Sequence, residues 1–160
     1  MKDRKIKILF VCHGNICRSP MAEFVMKDIV RRHGKSDEFE IASAATSTEE
    51  LGNPVYPPAR RKLLEHGIRC DGKTARRMTV GDYRYYDMII LMDHNNMKNA
   101  KRIIVNDTDN KLSMLMSYTE SGGTVSDPWY TRDFDRAYND IAAGCEGLFR
   151  YLTETRSDAR

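Results

Sequence analysis

The sequence predicts an α/β fold, a single-domain three-layer sandwich in which a four-stranded parallel sheet carries helices on both faces. Three observations point there. Short strand-like runs alternate with longer helix-periodic segments along the chain, the order that a parallel sheet with crossover helices requires. The 160 residues suit one domain, residues 1–160, and 41% of them are hydrophobic, enough to bury a core. The first strand-like run passes directly through a loop into a helix start, and open parallel sheets bind their ligands beyond such strand ends.

The elements follow in order. Lys5–Val11 is an apolar run and reads as the first strand, and Met21–His33 as the first helix, stopped by Gly34-Lys35-Ser36-Asp37. Phe39–Ala45 is the second strand. Asn53-Pro54 and Pro57-Pro58 frame a loop into a helix over Pro58–His66. A short helical piece at Thr79–Tyr85 leads to the third strand, Asp87–Leu91, with Tyr83-Arg84-Tyr85-Tyr86 packing at its entrance. Asn95–Ile103 is helical. Asn106–Lys111 is an exposed connection; it lacks the glycine and terminal glutamate of a calcium loop. Leu112–Met116 is the fourth strand, Ser121-Gly122-Gly123-Thr124 a turn, and Asp133–Thr153 the last helix.

The loop Cys12-His13-Gly14-Asn15-Ile16-Cys17-Arg18-Ser19 carries the chemistry. A thiol between a strand end and a helix start meets unpaired N–H groups and the positive end of a dipole, which favour thiolate and bind oxyanions. Five intervening residues let the amides of His13, Gly14, Asn15, Ile16, Cys17 and Arg18 curl around a tetrahedral anion, a phosphate-binding loop closed by the Arg18 guanidinium. Gly14 and Asn15 are residue types that tolerate left-handed backbone. Ser19 can donate its hydroxyl to the Cys12 thiolate. Without these neighbours, Cys12 would read as an ordinary buried strand-end cysteine.

Composition narrows the partners. The 26 basic and 23 acidic residues nearly balance, for a net charge of +3. Arg60-Arg61-Lys62 and Arg76-Arg77 have no interleaved aromatics and read as solvated faces, so no nucleic-acid partner is expected. Neither a membrane-spanning run nor a signal-peptide core is visible, and a cytoplasmic protein without a membrane partner is expected. Cys12, Cys17, Cys70 and Cys145 follow no zinc-ligand pattern; no metal or cofactor is expected, and Cys70 and Cys145 read as packing residues.

The run Val11-Cys12-His13-Gly14-Asn15-Ile16-Cys17-Arg18-Ser19-Pro20-Met21-Ala22-Glu23 resembles the N-terminal signature of the low-molecular-weight protein tyrosine phosphatases. The resemblance continues through Ser43-Ala44-Ala45-Thr46-Ser47, Gly52-Asn53-Pro54, His66-Gly67-Ile68, Ala75-Arg76, Met92-Asp93 and Asp127-Pro128-Trp129-Tyr130, nearly the whole chain. His13 departs from it, since an aliphatic residue is commoner there.

That resemblance implies a catalytic set of Cys12, Arg18 and Asp127, with Asp127 as general acid. It implies supporting roles for Asn15, Ser43 and His66, and a cleft lined by Trp129 or Tyr130. On helix-end chemistry alone, His66 reads instead as a C-terminal cap, and Asp93 either stands behind the cleft or caps the helix after it. Glu49 occupies the cleft-wall segment where relatives often place an aromatic; an acidic wall disfavours acidic phosphopeptides, although Glu49 reads equally as a solvated loop residue. Cys12 and Cys17 are open to two readings, a protective reversible disulfide or a nucleophile beside an apolar filler.

The implied partners are a tyrosine-phosphorylated protein or peptide and inorganic phosphate as product, with the enzyme a monomer. Arsenate reductase, protein arginine phosphatase and a non-enzymatic phosphate-binding module remain as alternatives on the same scaffold. Only Cys70 lies mid-chain, where such reductases carry a cysteine pair, and Ile16 stands where the arginine phosphatases carry threonine.

Overall fold

The computed structural model describes residues 4–158. Four strands, β1 (Ile6–Cys12), β2 (Phe39–Ala45), β3 (Met88–Leu91) and β4 (Leu112–Met114), form one sheet in the order β2-β1-β3-β4, every pair parallel. The chain leaves β1 toward one neighbour and returns to the other, so the end of β1 sits at the switch point of the sheet. Ligands of open α/β sheets bind at that point.

Among the described residues, six α-helices flank the sheet: α1 (Arg18–Arg32), α2 (Pro57–Glu65), α3 (Val80–Tyr85), α4 (His94–Ile103), α5 (Pro128–Thr131) and α6 (Phe134–Asp158). The two-residue alternation of β1 separates the layers. Ile8, Phe10 and Cys12 share a core with Met21, Val25 and Ile29 of α1, Leu63 of α2, and Ile141 and Leu148 of α6. Leu9 and Val11 share the opposite core with Ile89, Leu91, Tyr83 of α3 and Ala100 of α4. Cys70 and Cys145 are buried in the first core. Among the described residues no helix is long and apolar enough to cross a membrane.

Most boundaries fall within a few residues of expectation, and the departures have local causes. Helix α1 starts at Arg18 rather than Met21 because the Cys17 carbonyl already accepts from Met21 N at 3.1 Å; Pro20 is tolerated in a first turn whose amides need no intrahelical acceptor. Strand β4 stops at Met114, and Leu115–Tyr118 coil into a 3-10 turn against α6. Two glycines of α6 permit that approach. A Cβ on Gly144 would lie 2.5 Å from Leu115 Cγ, and one on Gly147 would collide with the Tyr118 carbonyl oxygen. Helix α5 was not expected; Asp127 caps it by accepting from Trp129 N at 3.0 Å, and Pro128 supplies a first position that needs no N–H.

Candidate active site

The loop after β1 is pinned by its carbonyls. Cys12 O accepts from Thr46 N at 2.9 Å, His13 O from Ser47 N at 3.1 Å and Ser47 Oγ at 2.9 Å, and Ile16 O from Tyr56 N at 2.9 Å. Among the described residues, no backbone N–H from Gly14 to Arg18 donates to another protein atom. The loop therefore offers a run of donors without internal acceptors, which is what an oxyanion needs. Asn15 takes the left-handed conformation at φ 61°, whereas Gly14 does not have positive φ. The expectation of left-handed backbone thus holds at Asn15 and is corrected at Gly14. Glycine instead leaves room at the rim, since a Cβ there would come 3.2 Å from Glu50 Cγ.

Beneath the loop runs a directed chain of polar groups. Asn15 Nδ2 donates to Ser19 Oγ at 2.7 Å and to Ser43 Oγ at 3.0 Å; Ser43 Oγ donates to Glu23 Oε1 at 2.5 Å. Cys12 Sγ lies 3.1 Å from Ser19 Oγ and accepts from Ser19 N at 3.4 Å. Glu23 is buried and paired to Lys27 at 2.6 Å and Lys73 at 3.7 Å, and Lys73 Nζ also donates to Ser43 O at 2.9 Å. Burial holds Lys73 below the ordinary lysine value, Glu23 opposing and the Arg76 and Lys27 charges adding to it.

Arg18 is 2% exposed. Its Nη1 donates to Asp93 Oδ2 at 2.7 Å and to Val125 O at 2.8 Å, while Nη2 stands 3.4 Å from Asp127 Oδ2. Burial opposes the charge, but the Cys12 sulfur, Asp127 and Asp93 outweigh it and raise the guanidinium above its usual value. Asp93 does two jobs at once: Oδ2 orients Arg18, and Oδ1 caps α4 by accepting from Asn96 N at 2.7 Å.

A cavity of about 110 Å³ opens above these groups, lined by Cys12, Arg18, Asp127, loop residues His13, Gly14, Ile16 and Cys17, and a wall of Glu49, Glu50, Trp129 and Tyr130. Glu49 pairs with His13 Nε2 at 3.1 Å. Trp129 leans on Tyr56, ring centroids 4.9 Å apart, and Tyr56 Oη accepts from Arg132 at 3.0 Å. Cys12 and Cys17 are both free thiols. Burial, with the Cys12 and Asp127 charges, pushes the Cys17 thiol far up. Among the described residues, no group of three or more His, Cys, Asp or Glu is arranged to hold a metal.

The structure thus brings together Cys12, the loop through Arg18, Ser19, Ser43, Asp127, Glu49, Trp129 and Tyr130. It does not bring His66 to the loop: His66 is the exposed C-cap of α2, its ring stacked on Tyr138 at 4.0 Å. Sequence reasoning missed Glu23, Lys73, Tyr56 and Glu50. Glu23 had one legible sign, its place four residues after Ser19 on the same helix face. The Arg76-Arg77 run also needs correcting. Arg76 is half-buried, bound to Asp82 through both amino nitrogens at 3.0 Å, and its backbone N–H holds Asn15 Oδ1 at 3.2 Å.

Fold and site together define a small parallel α/β protein whose oxyanion-binding loop faces a thiol, a guanidinium and a carboxylate across one cavity. The family model described as low molecular weight phosphotyrosine protein phosphatase matches residues 7–158, and the chain belongs to that family. It is 34% identical over 153 residues to the low molecular weight protein-tyrosine-phosphatase YfkJ of Bacillus subtilis, across 94% of this chain and 98% of that one. Against the low molecular weight phosphotyrosine protein phosphatase of Rattus norvegicus it is 40% identical over 146 residues, 88% and 92% of the two chains. The crystal structure of YfkJ superimposes with a TM-score of 0.91 at 33% identity, covering 94% of this chain and 96% of that one. SP-PTP of Streptococcus pyogenes gives a TM-score of 0.82 at 42% identity, with coverage of 92% and 93%.

Proposed function

We propose that this protein hydrolyses phosphotyrosine in proteins or peptides, and small aryl phosphates, through a cysteinyl-phosphate intermediate. The observation that carries the reading is the convergence of Cys12, Arg18 and Asp127 on one small cavity floored by unpaired loop amides.

Cys12, as thiolate, attacks phosphorus and displaces the phenol oxygen. Loop amides and Arg18, already oriented by Asp93, hold the equatorial oxygens as charge redistributes among them. Asp127 gives its proton to the departing oxygen. It then takes a proton from the water that attacks the phosphocysteine, releasing inorganic phosphate and restoring the thiolate. The Ser19 hydroxyl stabilises the thiolate at both ends of the cycle.

The alternatives have less behind them. Arsenate reduction by a resolving pair requires mobile thiols, whereas Cys70 and Cys145 are buried in the core. A pure binding module has no use for a thiol and a proton donor facing one cavity. The protein acts as a single domain and a monomer in the cytoplasm, with no nucleic-acid or membrane partner.

A side-by-side assay of phosphotyrosine, phosphoarginine and arsenate tests the reading. Turnover dominated by phosphotyrosine supports it; faster hydrolysis of phosphoarginine, or reduction of arsenate, overturns it.

A further inference from the structure

A second cavity, about 250 Å³, adjoins the catalytic one. It is lined by His13, Thr46, Ser47, Arg77, Asn99, Arg102 and Ile103, and His13 lines both cavities. Its chemistry is the reverse of the wall formed by Glu49 and Glu50, which line the first cavity and not the second. Among the described residues, no carboxylate lines it. Arg77 and Arg102 are exposed, and among the described residues neither pairs with an acid; Arg102 meets only Asn99 Oδ1, at 3.4 Å. Thr46 is 8% exposed, and its buried Oγ1 has no hydrogen-bond partner. That hydroxyl lies below the cavity surface, and what the cavity presents to a ligand is two guanidiniums that no acid among the described residues neutralises.

We infer that this cavity is a second anion subsite that takes an acidic side chain flanking the phosphotyrosine of the substrate, a reading that rests on the phosphatase function proposed above. Consecutive residues of an extended peptide are about 3.3–3.6 Å apart, so a carboxylate one to three positions from a phosphotyrosine held over Cys12 reaches a cavity that shares His13 with the catalytic one. The guanidiniums accept it by charge, and the Asn99 side chain supplies a further polar contact. Together with Glu49 and Glu50, the subsite gives the mouth a charge polarity. A peptide with acid on one side and base on the other binds in one direction only. The acidic wall therefore does not exclude acidic peptides; it directs their acidic end toward Arg77 and Arg102.

The test compares two phosphotyrosine peptides that differ only in flanking Asp against Asn, together with para-nitrophenyl phosphate, in the wild type and in Arg77→Gln/Arg102→Gln. Both arginines are exposed and lie outside the catalytic set, so the variant folds and keeps its aryl phosphate turnover. The wild type prefers the Asp peptide by about three- to tenfold in kcat/KM, mostly through KM, because exposed charge pairs are individually weak. That preference falls with added salt and disappears in the double variant. Equal kcat/KM for the two peptides in the wild type, with the aryl phosphate still hydrolysed, overturns the subsite and leaves the phosphatase standing. A preference that survives in the double variant also overturns it. Failure to hydrolyse the aryl phosphate overturns the function and the subsite together.

Discussion

Asn15 donates its side-chain amide to Ser19 Oγ at 2.7 Å, and the direction of that bond is fixed by a third residue. The Arg76 backbone N–H, which can only donate, meets Asn15 Oδ1 at 3.2 Å, so the NH₂ end must face the two serines. Ser19 Oγ accepts there, and its single proton is left for Cys12 Sγ at 3.1 Å in preference to Ala44 O at 3.4 Å. The orientation of one amide thus sets the Ser19 hydroxyl as a donor to Cys12 Sγ.

Removing that amide lowers catalysis without removing the loop. Asn15→Gly keeps the left-handed backbone and deletes the donor, so kcat on an aryl phosphate falls about 10- to 100-fold, as when groups orienting a reactive centre are lost. Ser19→Ala costs a similar factor, and the two together cost less than their product because they act through one bond. Steady-state kinetics of the three variants check this. Wild-type kcat in Asn15→Gly would mean that only the backbone of Asn15 matters.

Asp127→Ala separates the two halves of the reaction. Poor leaving groups such as unsubstituted phenol lose about 10²- to 10⁴-fold in turnover, within the usual range for a general acid, while strongly acidic nitrophenols lose much less. A leaving-group series in both enzymes measures the slope. Equal losses across the series would remove the acid role.

Gly147→Ala tests the packing of the last helix. The added Cβ meets the Tyr118 backbone carbonyl, which cannot rotate away, so the variant loses about 3 kcal/mol or more of stability. Gly144→Ala meets the Leu115 side chain instead, which can change rotamer, and loses less. Urea midpoints read the two costs. Equal midpoints for the two variants would contradict the difference.

Asp107 contributes to acid sensitivity. Its carboxylate accepts from Tyr83 Oη at 2.6 Å, Lys111 N at 2.7 Å and Leu112 N at 3.2 Å; burial raises its pKa, but these bonds outweigh that and hold it below the ordinary 3.8. The unfolded chain therefore binds this proton at higher pH than the fold does. The stabilisation is present in full above about pH 5 and is lost as pH falls through the folded value. Asp107→Asn is less stable at neutral pH by about 1 kcal/mol, discounted for partial exposure, and its stability falls less between about pH 5 and pH 3. Thermal unfolding over that range checks both; parallel curves would contradict the assignment.

Much of this was legible in the chain, for reasons that differ from residue to residue. The alternation of apolar runs with helical periodicity is local and gave the sheet and its main helices. Cys12, Arg18 and Ser19 were legible because one short loop sets their spacing. Asp127 was legible only through the resemblance of Asp127-Pro128-Trp129-Tyr130 to the family's motif, because an Asp-Pro pair by itself usually starts a turn. Glu23 and Lys73 were not, since their meeting under Ser43 depends on how α1 packs against the segment near residue 73, which no local pattern records. His66 illustrates the opposite case: helix-end chemistry predicted a cap, and the structure has it at the C-cap of α2, stacked on Tyr138.

Trapping the intermediate tests the central claim most directly. Rapid acid quench of the enzyme during turnover of an aryl phosphate, followed by peptide mass spectrometry, should find a phosphoryl group on Cys12. Asp127→Ala slows both halves of the cycle, and Cys12→Ser abolishes turnover while still binding phosphate. Turnover that persists in Cys12→Ser, or a phosphoryl group on another residue with Cys12 unmodified, would contradict the account.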